Sequence, residues 1–330
     1  MKQSILIALF VVLVSIFVEF ADAQSPSKIP RIGFLTSAPA GFVLLESDLR
    51  EGLQELGYVE GKNILIEVRR AGNAPQRLLD AAKELAQLKV DVIVTTATDS
   101  AVAAQRATTT IPIVGGLGGD PVAAGLVASL ARPGGNITGV TSISAALGKK
   151  RLELLKELTS NASPVAVLWI PGATGSGNRF QMKDIESAAR ALSLDLLSTP
   201  VYAPNEFDSA FSANKKPHAR SLIVLTSPFF ASEMNRIVRL ATRSRLPVVY
   251  ASSDWADAGG LMSYGPNYHE LMRRTAYYVH RILQGAKAAD LPVEAPAKFD
   301  LVVNLKTAKQ IGLTIPSSVL NRADRIIQDR

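Results

Sequence analysis

Short apolar runs alternate with amphipathic stretches from about residue 30 onward. Runs rich in β-branched residues predict buried strands, and apolar residues every three to four positions predict helices. The strands predicted first are 31–36, 63–68, 90–95, 111–114 and 136–140. The helices predicted between them are 44–56, 75–88 and 99–107. Strands separated by helices imply a parallel sheet with right-handed crossovers, so this part is predicted to form one α/β unit.

The same alternation starts again near residue 147. The predicted helices of this second set are 147–158, 180–192, 206–213 and 229–242. The predicted strands are 164–170, 196–202, 221–226 and 247–251. The chain therefore contains two successive α/β units of similar size, which repeat an architecture without repeating a sequence.

Three later segments exceed what two self-contained units need: a glycine-flanked strand at 259–265, a long helix at 269–283 and a strand at 299–304. They fit a chain that crosses back to lobe one and then again to lobe two, because three crossings form a hinge. We therefore predict an α/β protein of two Rossmann-like parallel-sheet lobes joined by a three-crossing hinge. Lobe one would take 24–140 and 259–296, and lobe two would take 141–258 and 297–330.

The first 23 residues differ from the rest and predict a secretory signal peptide. Lys2 gives a positive start, 4–18 is almost wholly apolar, and Ala21-Asp22-Ala23 has the small-x-small form of a cleavage site. The apolar run is shorter than a membrane span, so cleavage is favoured over anchoring. The chain has no cysteine, which excludes both disulfides and a lipid anchor at the cleavage site. We expect a freely diffusing protein in the periplasm.

The net charge of +7 is unevenly distributed. From residue 24 to 140 there are 11 basic and 11 acidic residues, whereas from 141 onward there are 24 and 16, a balance of +8. A solvated basic face explains this excess, because no basic run is interleaved with aromatic residues. We predict no nucleic-acid partner.

Several blocks of sequence resemble a known family. They are LGYVEGKNI (56–64), ATTTIPIV (107–114), DPV (120–122), GLVASLARPGGNITG (125–139), KRLELLKE (150–157), GGLMSYGP (259–266), ADLPVE (289–294) and FDLVVNLKTA (299–308). In collinear order over the mature chain, they resemble the ABC-transporter substrate-binding family whose best-known members bind tryptophan or tyrosine. The resemblance implies the type I periplasmic binding protein fold. The implied partners are a small-molecule ligand, such as an amino acid or another small carboxylate, and an inner-membrane ABC permease and ATPase. We expect a monomer without enzymatic activity.

Three departures from the family pattern bear on the ligand. The segment 115–119 is unusually rich in glycine, His280 stands where relatives usually have aspartate, and the loop 171–179 is distinctive. Two of these lie in predicted cleft loops, which argues against assuming an aromatic amino acid.

Ligands of open parallel sheets bind beyond the carboxyl ends of the strands, and this rule selects the candidate site residues. They are Thr36, Ser37, Thr96, Ala97, Thr98 and Asp120 in lobe one, and Asn178, Ser227, Asp254 and Trp255 in lobe two.

The start of the helix near Asp99 suits a ligand carboxylate, because a helix N-terminus favours negative charge. The alternative is that Thr98 or Asp99 only caps this helix. Asp254 is a candidate for a ligand ammonium, or else for capping a short turn. Trp255 is placed to stack on an apolar or aromatic ligand.

No motif of a cofactor, metal or catalytic site is present. The glycine-rich stretches at 115–119 and 172–177 continue neither as a phosphate-binding loop nor as a dinucleotide motif. There is no G-x-S-x-G, and His269-Glu270 lacks the second histidine of a zinc motif. We therefore predict no cofactor, no metal and no catalytic residue.

Other functional classes remain as alternatives. A sensory module that presents its ligand to a membrane receptor would use the same fold. An exported α/β enzyme is disfavoured by the missing motifs. A cytoplasmic repressor is excluded by the export signal and by the lack of an N-terminal helix-turn-helix.

Overall fold

The computed structural model describes residues 28–39, 44–72, 74–118, 120–142, 144–159, 161–171, 177–213 and 219–328. The predicted signal peptide lies outside these residues. Within the described ranges, no helix has the length and apolar character needed to cross a bilayer.

Lobe one contains a five-stranded sheet in the order β2-β1-β3-β4-β5, with every neighbouring pair parallel. Its strands are β1 (Arg31–Thr36), β2 (Leu65–Arg70), β3 (Val92–Thr95), β4 (Ile113–Leu117) and β5 (Ile137–Thr141). The connecting helices are α1 (Leu44–Glu55), α2 (Pro75–Gln87) and α3 (Thr98–Ala107). Strands β1 and β3 are almost entirely buried, as continuous apolar runs in a parallel sheet require.

Lobe two contains seven strands in the described part of the chain. They are β6 (Val165–Trp169), β7 (Leu196–Pro200), β8 (Ser221–Val224), β9 (Val249–Tyr250), β10 (Met262–Gly265), β11 (Asp300–Asn304) and β12 (Arg325–Ile327). A bridge between Leu222 and Val248 joins the group β7-β6-β8 to the group β9-β10-β11-β12. Strand β11 runs antiparallel to β10.

The helices after lobe one have the following bounds: α4 (Ser144–Leu158), α5 (Gly177–Leu192), α6 (Phe207–Ala213), α7 (Pro228–Ser232), α8 (Met234–Arg243), α9 (Ser253–Asp257), α10 (Tyr268–Leu283), α11 (Leu305–Ile311) and α12 (Ser317–Leu320). The single helix predicted at 229–242 is two helices. Glu233 has φ −102° and ψ 12°, which interrupts the helical backbone between α7 and α8.

The long helix α10 returns to lobe one. Met272, Ala276 and Val279 pack with Phe34 and Leu53 in one apolar cluster. Gly52 of α1 allows close approach, since a Cβ there would lie 2.9 Å from the Cβ of Ala276. The two-lobed α/β fold predicted from the sequence is therefore confirmed.

The second crossing differs from the predicted position. Met262 and Ser263 pair with Val249 and Tyr250, so the strand predicted at 259–265 belongs to lobe two and not to lobe one. The chain crosses after Gly265, where a Cβ would lie 1.8 Å from the Ala251 carbonyl oxygen. Glycine is needed at this close backbone approach.

The other two crossings lie close to the predicted boundaries. Strand β5 ends at Thr141 and α4 begins at Ser144. Glu294 still belongs to lobe one, because its N–H donates to the Gly139 carbonyl at 3.0 Å and its carbonyl accepts from the Thr141 N–H at 2.8 Å. The chain then enters β11 in lobe two at Asp300.

Candidate functional site

A cavity of about 120 Å³ lies between the lobes, at the carboxyl ends of β3, β4, β8 and β9. This is the position that open parallel sheets use for ligands. Its lining is mostly apolar and comes from both lobes and from α10. The lining residues are Leu45, Thr96, Ala97, Gly116, Leu117, Gly118, Val140, Ser142, Val224, Leu225, Thr226, Ser227, Pro228, Ala231, Met234, Ala251, Ser252, Asp254, Trp255, Tyr268, Leu271 and Met272.

The lobe-one wall combines the start of a helix with glycines at the end of β4. Thr96 and Ala97 line the cavity, and α3 begins directly after them. The Thr98 side chain is 2% exposed, and its Oγ1 is buried without a hydrogen-bond partner. A Cβ on Gly118 would meet only this Oγ1, at 3.9 Å. Gly118 thus leaves open space beside the start of α3.

The start of α3 is capped by neither of the residues considered for that role. Ser100 Oγ accepts from the Ala97 N–H at 3.2 Å and donates to the Ala97 carbonyl at 2.9 Å. Asp99 Oδ1 accepts from the Ser100 N–H at 2.8 Å. Burial raises the pKa of the Asp99 carboxyl, against the opposing effect of hydrogen bonds from Ser100 and Ser37.

Thr36 and Ser37 lie behind the cavity wall instead of lining it. Both are almost fully buried, and Ser37 lies beside Asp99. Thr36 Oγ1 accepts from Thr96 Oγ1 at 2.9 Å and from the Ala38 N–H at 3.1 Å. Thr36 therefore fixes the side chain of Thr96.

On the lobe-two wall, Ser227 lines the cavity and also begins α7, because its Oγ accepts from the Phe230 N–H at 3.1 Å. Asn178 does not line the cavity. Its Oδ1 accepts from the Ile170 N–H at 3.1 Å, and its Nδ2 donates to the Thr226 carbonyl at 2.9 Å. Asn178 therefore links the ends of β6 and β8 by hydrogen bonds. This structural role could not be predicted from its position in the sequence.

Trp255 lines the cavity and is 6% exposed. Its ring stacks on Tyr250, with the ring centroids 4.8 Å apart and the planes 9° from parallel. One ring face is thus already occupied inside the lobe-two core. Only the remaining surface of the ring is available to a ligand.

Asp254 lines the cavity but also takes part in a contact between the lobes. Its Oδ1 lies 3.2 Å from His269 Nε2, and Ser252 Oγ donates to its Oδ2 at 3.4 Å. His269 Nδ1 lies 2.8 Å from Asp48 Oδ2 in α1. One imidazole on α10 therefore bridges a carboxylate of lobe one and a carboxylate of lobe two.

The two carboxylates control the protonation of His269. Burial acts to lower the His269 pKa, but the hydrogen bond to Asp48 and the negative charges of Asp254 and Asp48 outweigh it, so the pKa is raised. No pattern in the sequence pointed to Asp48. Asp48 and His269 are far apart in the sequence, and they pair because the fold brings α1 and α10 together.

Asp120 is exposed and does not line the cavity. Its Oδ1 accepts from the N–H groups of Val122 and Ala123, at 2.8 and 3.1 Å, and so caps the turn that follows β4. Burial, followed by the charge of Asp120, raises the pKa of Asp184 in lobe two. Asp120 therefore faces a like charge across the cleft. His280 is also remote from the cavity, with its Nδ1 3.0 Å from the Tyr58 hydroxyl.

Comparisons with known proteins agree with this two-lobed arrangement. The family model described as ABC transporter substrate binding protein matches residues 39–327. A tyrosine-binding protein of Clostridioides difficile is 27% identical over 279 residues, which cover 84% of this chain and 77% of that protein.

Two solved structures of equal sequence identity differ in how closely they superpose on this chain. The ABC domain in complex with L-Trp from Streptococcus pneumoniae is 27% identical, with a TM-score of 0.79 over 90% of this chain and 99% of that one. A ligand-free, open substrate binding protein with adhesive properties from Clostridium difficile is also 27% identical, but its TM-score is 0.60 over 91% of this chain and 100% of that one. This chain therefore superposes more closely on the L-Trp complex than on the open, ligand-free structure. The extent of the family match shows that the chain belongs to the ABC transporter substrate binding protein family.

Proposed function

We propose that this protein is the periplasmic, non-enzymatic binding component of an ABC importer and that it captures an amino acid with a large apolar side chain. The observation that carries this proposal is the mostly apolar cavity enclosed by both lobes. Binding sites for small organic molecules combine apolar walls with a few placed polar groups. The protein would deliver its ligand to an inner-membrane permease and ATPase.

The apolar part of the cavity suits the side chain of such a ligand. Leu117, Val140, Leu225 and Met234 supply aliphatic and thioether surface from both lobes. Met adapts its shape and makes favourable contacts with aromatic rings. The relatives named above for tyrosine and L-Trp support an aromatic amino acid. The glycines at 116 and 118 add space on the lobe-one side, consistent with a bulky group.

The polar groups suit the two charged ends of an amino acid. We place the ligand carboxylate at the start of α3, near Thr96, Ala97 and the unpartnered Thr98 hydroxyl. We place the ammonium beside Asp254 in lobe two. Because each lobe then satisfies only one end of the zwitterion, a ligand gains both contacts only when the lobes close.

The direct test is a calorimetric titration of the mature protein with L-tryptophan, L-tyrosine, L-phenylalanine and L-leucine, with L-glutamate and adenosine as ligands of other chemistry. A parallel thermal-shift measurement should detect binding, because a ligand at 100 times its dissociation constant adds about 2.7 kcal/mol to stability. Binding confined to L-glutamate or adenosine would contradict the proposal.

A steric variant shows whether binding occurs in this cavity. Gly118→Leu places a side chain beside Thr98 Oγ1 and should abolish binding without unfolding the protein. Gly135→Leu is the matched control, because Gly135 is exposed and a Cβ there would meet no atom within 4 Å. Equal binding by both variants would place the ligand elsewhere.

A further inference from the structure

Arg151, in α4 of lobe two, is a cation buried without a counter-charge. It is 5% exposed, and among the residues that the structure describes no carboxylate forms an ion pair with it. Its Nε donates to the Tyr264 carbonyl at 2.8 Å, whereas its Nη2 is buried without a hydrogen-bond partner. Burial lowers the pKa of Arg151, but a guanidinium stays charged in proteins.

An unpaired buried charge is rare because removing an ion from water is costly. The bond to Tyr264 uses only one of the five N–H donors of Arg151. A purely structural link to one carbonyl does not require a positive charge. The arrangement therefore indicates that an anion supplies the missing charge in another state of the protein.

Tyr268 connects Arg151 to the cavity. It lines the cavity, and its buried hydroxyl oxygen lies beside Ser142 and Thr226, with neither at hydrogen-bonding geometry. The charge of Arg151 acts on this hydroxyl directly, and burial raises the pKa of Tyr268 against that charge. Two donors that lack partners, one charged and one neutral, thus lie at the same end of the site.

This end of the cavity continues to the start of α3. The Tyr268 hydroxyl lies near Ser142. Ser142 Oγ in turn donates to the Gly118 carbonyl at 3.2 Å, and Gly118 adjoins Thr98 Oγ1. The unpartnered hydroxyls of Thr98 and Tyr268 therefore border one polar corner, which we define as Thr98, Gly118, Ser142 and Tyr268, with Arg151 of lobe two behind Tyr268.

We propose that Arg151, acting with the Tyr268 hydroxyl, is the lobe-two determinant that makes this site select ligands bearing a carboxylate. This inference rests on the proposed function and adds the counter-charge to the helix start on lobe one. Arg151 acts as a positioning and charge-supplying residue, while Tyr268 provides the hydroxyl that meets the ligand. Neutral analogues of the same size would leave the buried guanidinium uncompensated and so bind more weakly.

The test compares each acid with its amide: L-tryptophan with L-tryptophanamide, and L-tyrosine with L-tyrosinamide. Arg151→Met preserves the length of the side chain and removes its charge. It should weaken binding of the acid by at least about 30-fold, the lower limit for a buried charged pair that loses one partner. It should leave binding of the amide nearly unchanged, so the preference for the acid is lost.

Two further variants keep the test decisive if Arg151→Met does not fold. Tyr268→Phe removes only the unpartnered hydroxyl and should reduce the preference for the acid. Arg151→Lys should retain part of it, because the charge remains. Arg190→Met on the exposed side of α5 is the matched control and should change nothing.

The outcomes separate this inference from the function on which it rests. If no amino acid binds the parent protein, the proposed function fails. If the parent binds the acids and both Arg151→Met and Tyr268→Phe leave the ratio of acid to amide affinity unchanged, Arg151 is structural and the inference is overturned.

Discussion

At the scale of single residues, Asp254 carries most of the proposed recognition of the ligand ammonium. Asp254→Asn keeps the size and the hydrogen-bonding oxygen but removes the charge. We expect binding of a zwitterionic amino acid to weaken by about 2–5 kcal/mol, because the buried ammonium loses its counter-charge. Calorimetry on the variant measures this loss.

Asp257→Asn is the matched control for Asp254. Asp257 lies in the same helix, α9, but it is exposed and pairs with Arg325 at 2.7 Å. Its substitution should leave ligand affinity unchanged. Equal affinity of the Asp254 and Asp257 variants would show that the ammonium is held elsewhere or that the ligand has none.

Trp255 should matter for stability as well as for binding, because it belongs to the lobe-two core. Its ring stacks on the fully buried Tyr250 and packs in the cluster that includes Phe230. We expect Trp255→Ala to lower the free energy of unfolding by about 3–5 kcal/mol, as for other aromatic truncations in cores. Urea denaturation of the ligand-free protein measures this change. A loss below about 1 kcal/mol would mean that Trp255 is a surface residue of the cleft.

Some of the residues predicted for the site line the cavity and others do not, for identifiable reasons. Thr96, Ala97, Ser227, Asp254 and Trp255 all line the cavity, because the ends of parallel strands share one edge of the sheet. Asn178 and Thr36 instead accept hydrogen bonds from neighbouring protein groups and do not line the cavity. Strand position alone cannot distinguish a wall residue from a supporting one, since side chains next to each other in sequence point in different directions.

At the scale of elements, α10 connects α1 in lobe one with α9 in lobe two through His269. The groups that face this imidazole are Asp48 from α1 and Asp254 from α9. Along α10 itself, Glu270 and Arg273 flank it, and Arg273 pairs with Glu51 and Glu55 of α1. A protonated imidazole between two carboxylates holds the lobes together, whereas a neutral one can donate to only one of them.

This geometry predicts that closure depends on pH. Contact with Asp48 and Asp254 raises the His269 pKa above its ordinary value near 6.5, so the closed form binds the proton more tightly than a form with the lobes apart. The stabilisation is fully present below the ordinary pKa and is lost as the pH rises through the raised pKa. Ligand affinity should therefore decrease over that pH range, and ligand binding should take up protons.

Calorimetry in two buffers of different ionisation enthalpy measures the proton uptake. His269→Gln keeps a polar side chain without the titrating charge and should abolish both the uptake and the pH dependence in this range. His280→Gln is the control, because His280 contacts Tyr58 away from the cavity. If His269→Gln retained the pH dependence of the parent, the bridge would not control closure.

The pattern of apolar positions predicted most helices and strands. It did not predict the lobe to which the strand at 259–265 belongs, or the break within the helix predicted at 229–242. The strand at 259–265 has the glycine-rich edges expected of a crossing, but pairing with β9 decides its lobe. The break between α7 and α8 lies at Glu233, whose φ of −102° and ψ of 12° interrupt the helical backbone. Hydrophobic periodicity reports neither the pairing of a strand nor a break at a single residue.

At the scale of the whole molecule, the chain forms two lobes, each built on a sheet, and the cavity lies between them at the carboxyl ends of the strands. The order of strands and helices was sufficient to predict two lobes, because strands alternating with helices have few other packings. The sequence could not show that Arg151 would be buried without a partner, since this depends on the contact of α4 with β10. Nor could it show that Asp48, His269 and Asp254 would meet between the lobes.

An amino acid bound between the lobes should hold them together. Small-angle X-ray scattering on the protein, with and without saturating L-tryptophan or L-tyrosine, whichever binds in calorimetry, measures this closure. We expect a smaller radius of gyration with ligand for the parent and no change for Gly118→Leu. An unchanged radius of gyration in the parent at saturating ligand would show that the ligand does not hold the lobes together.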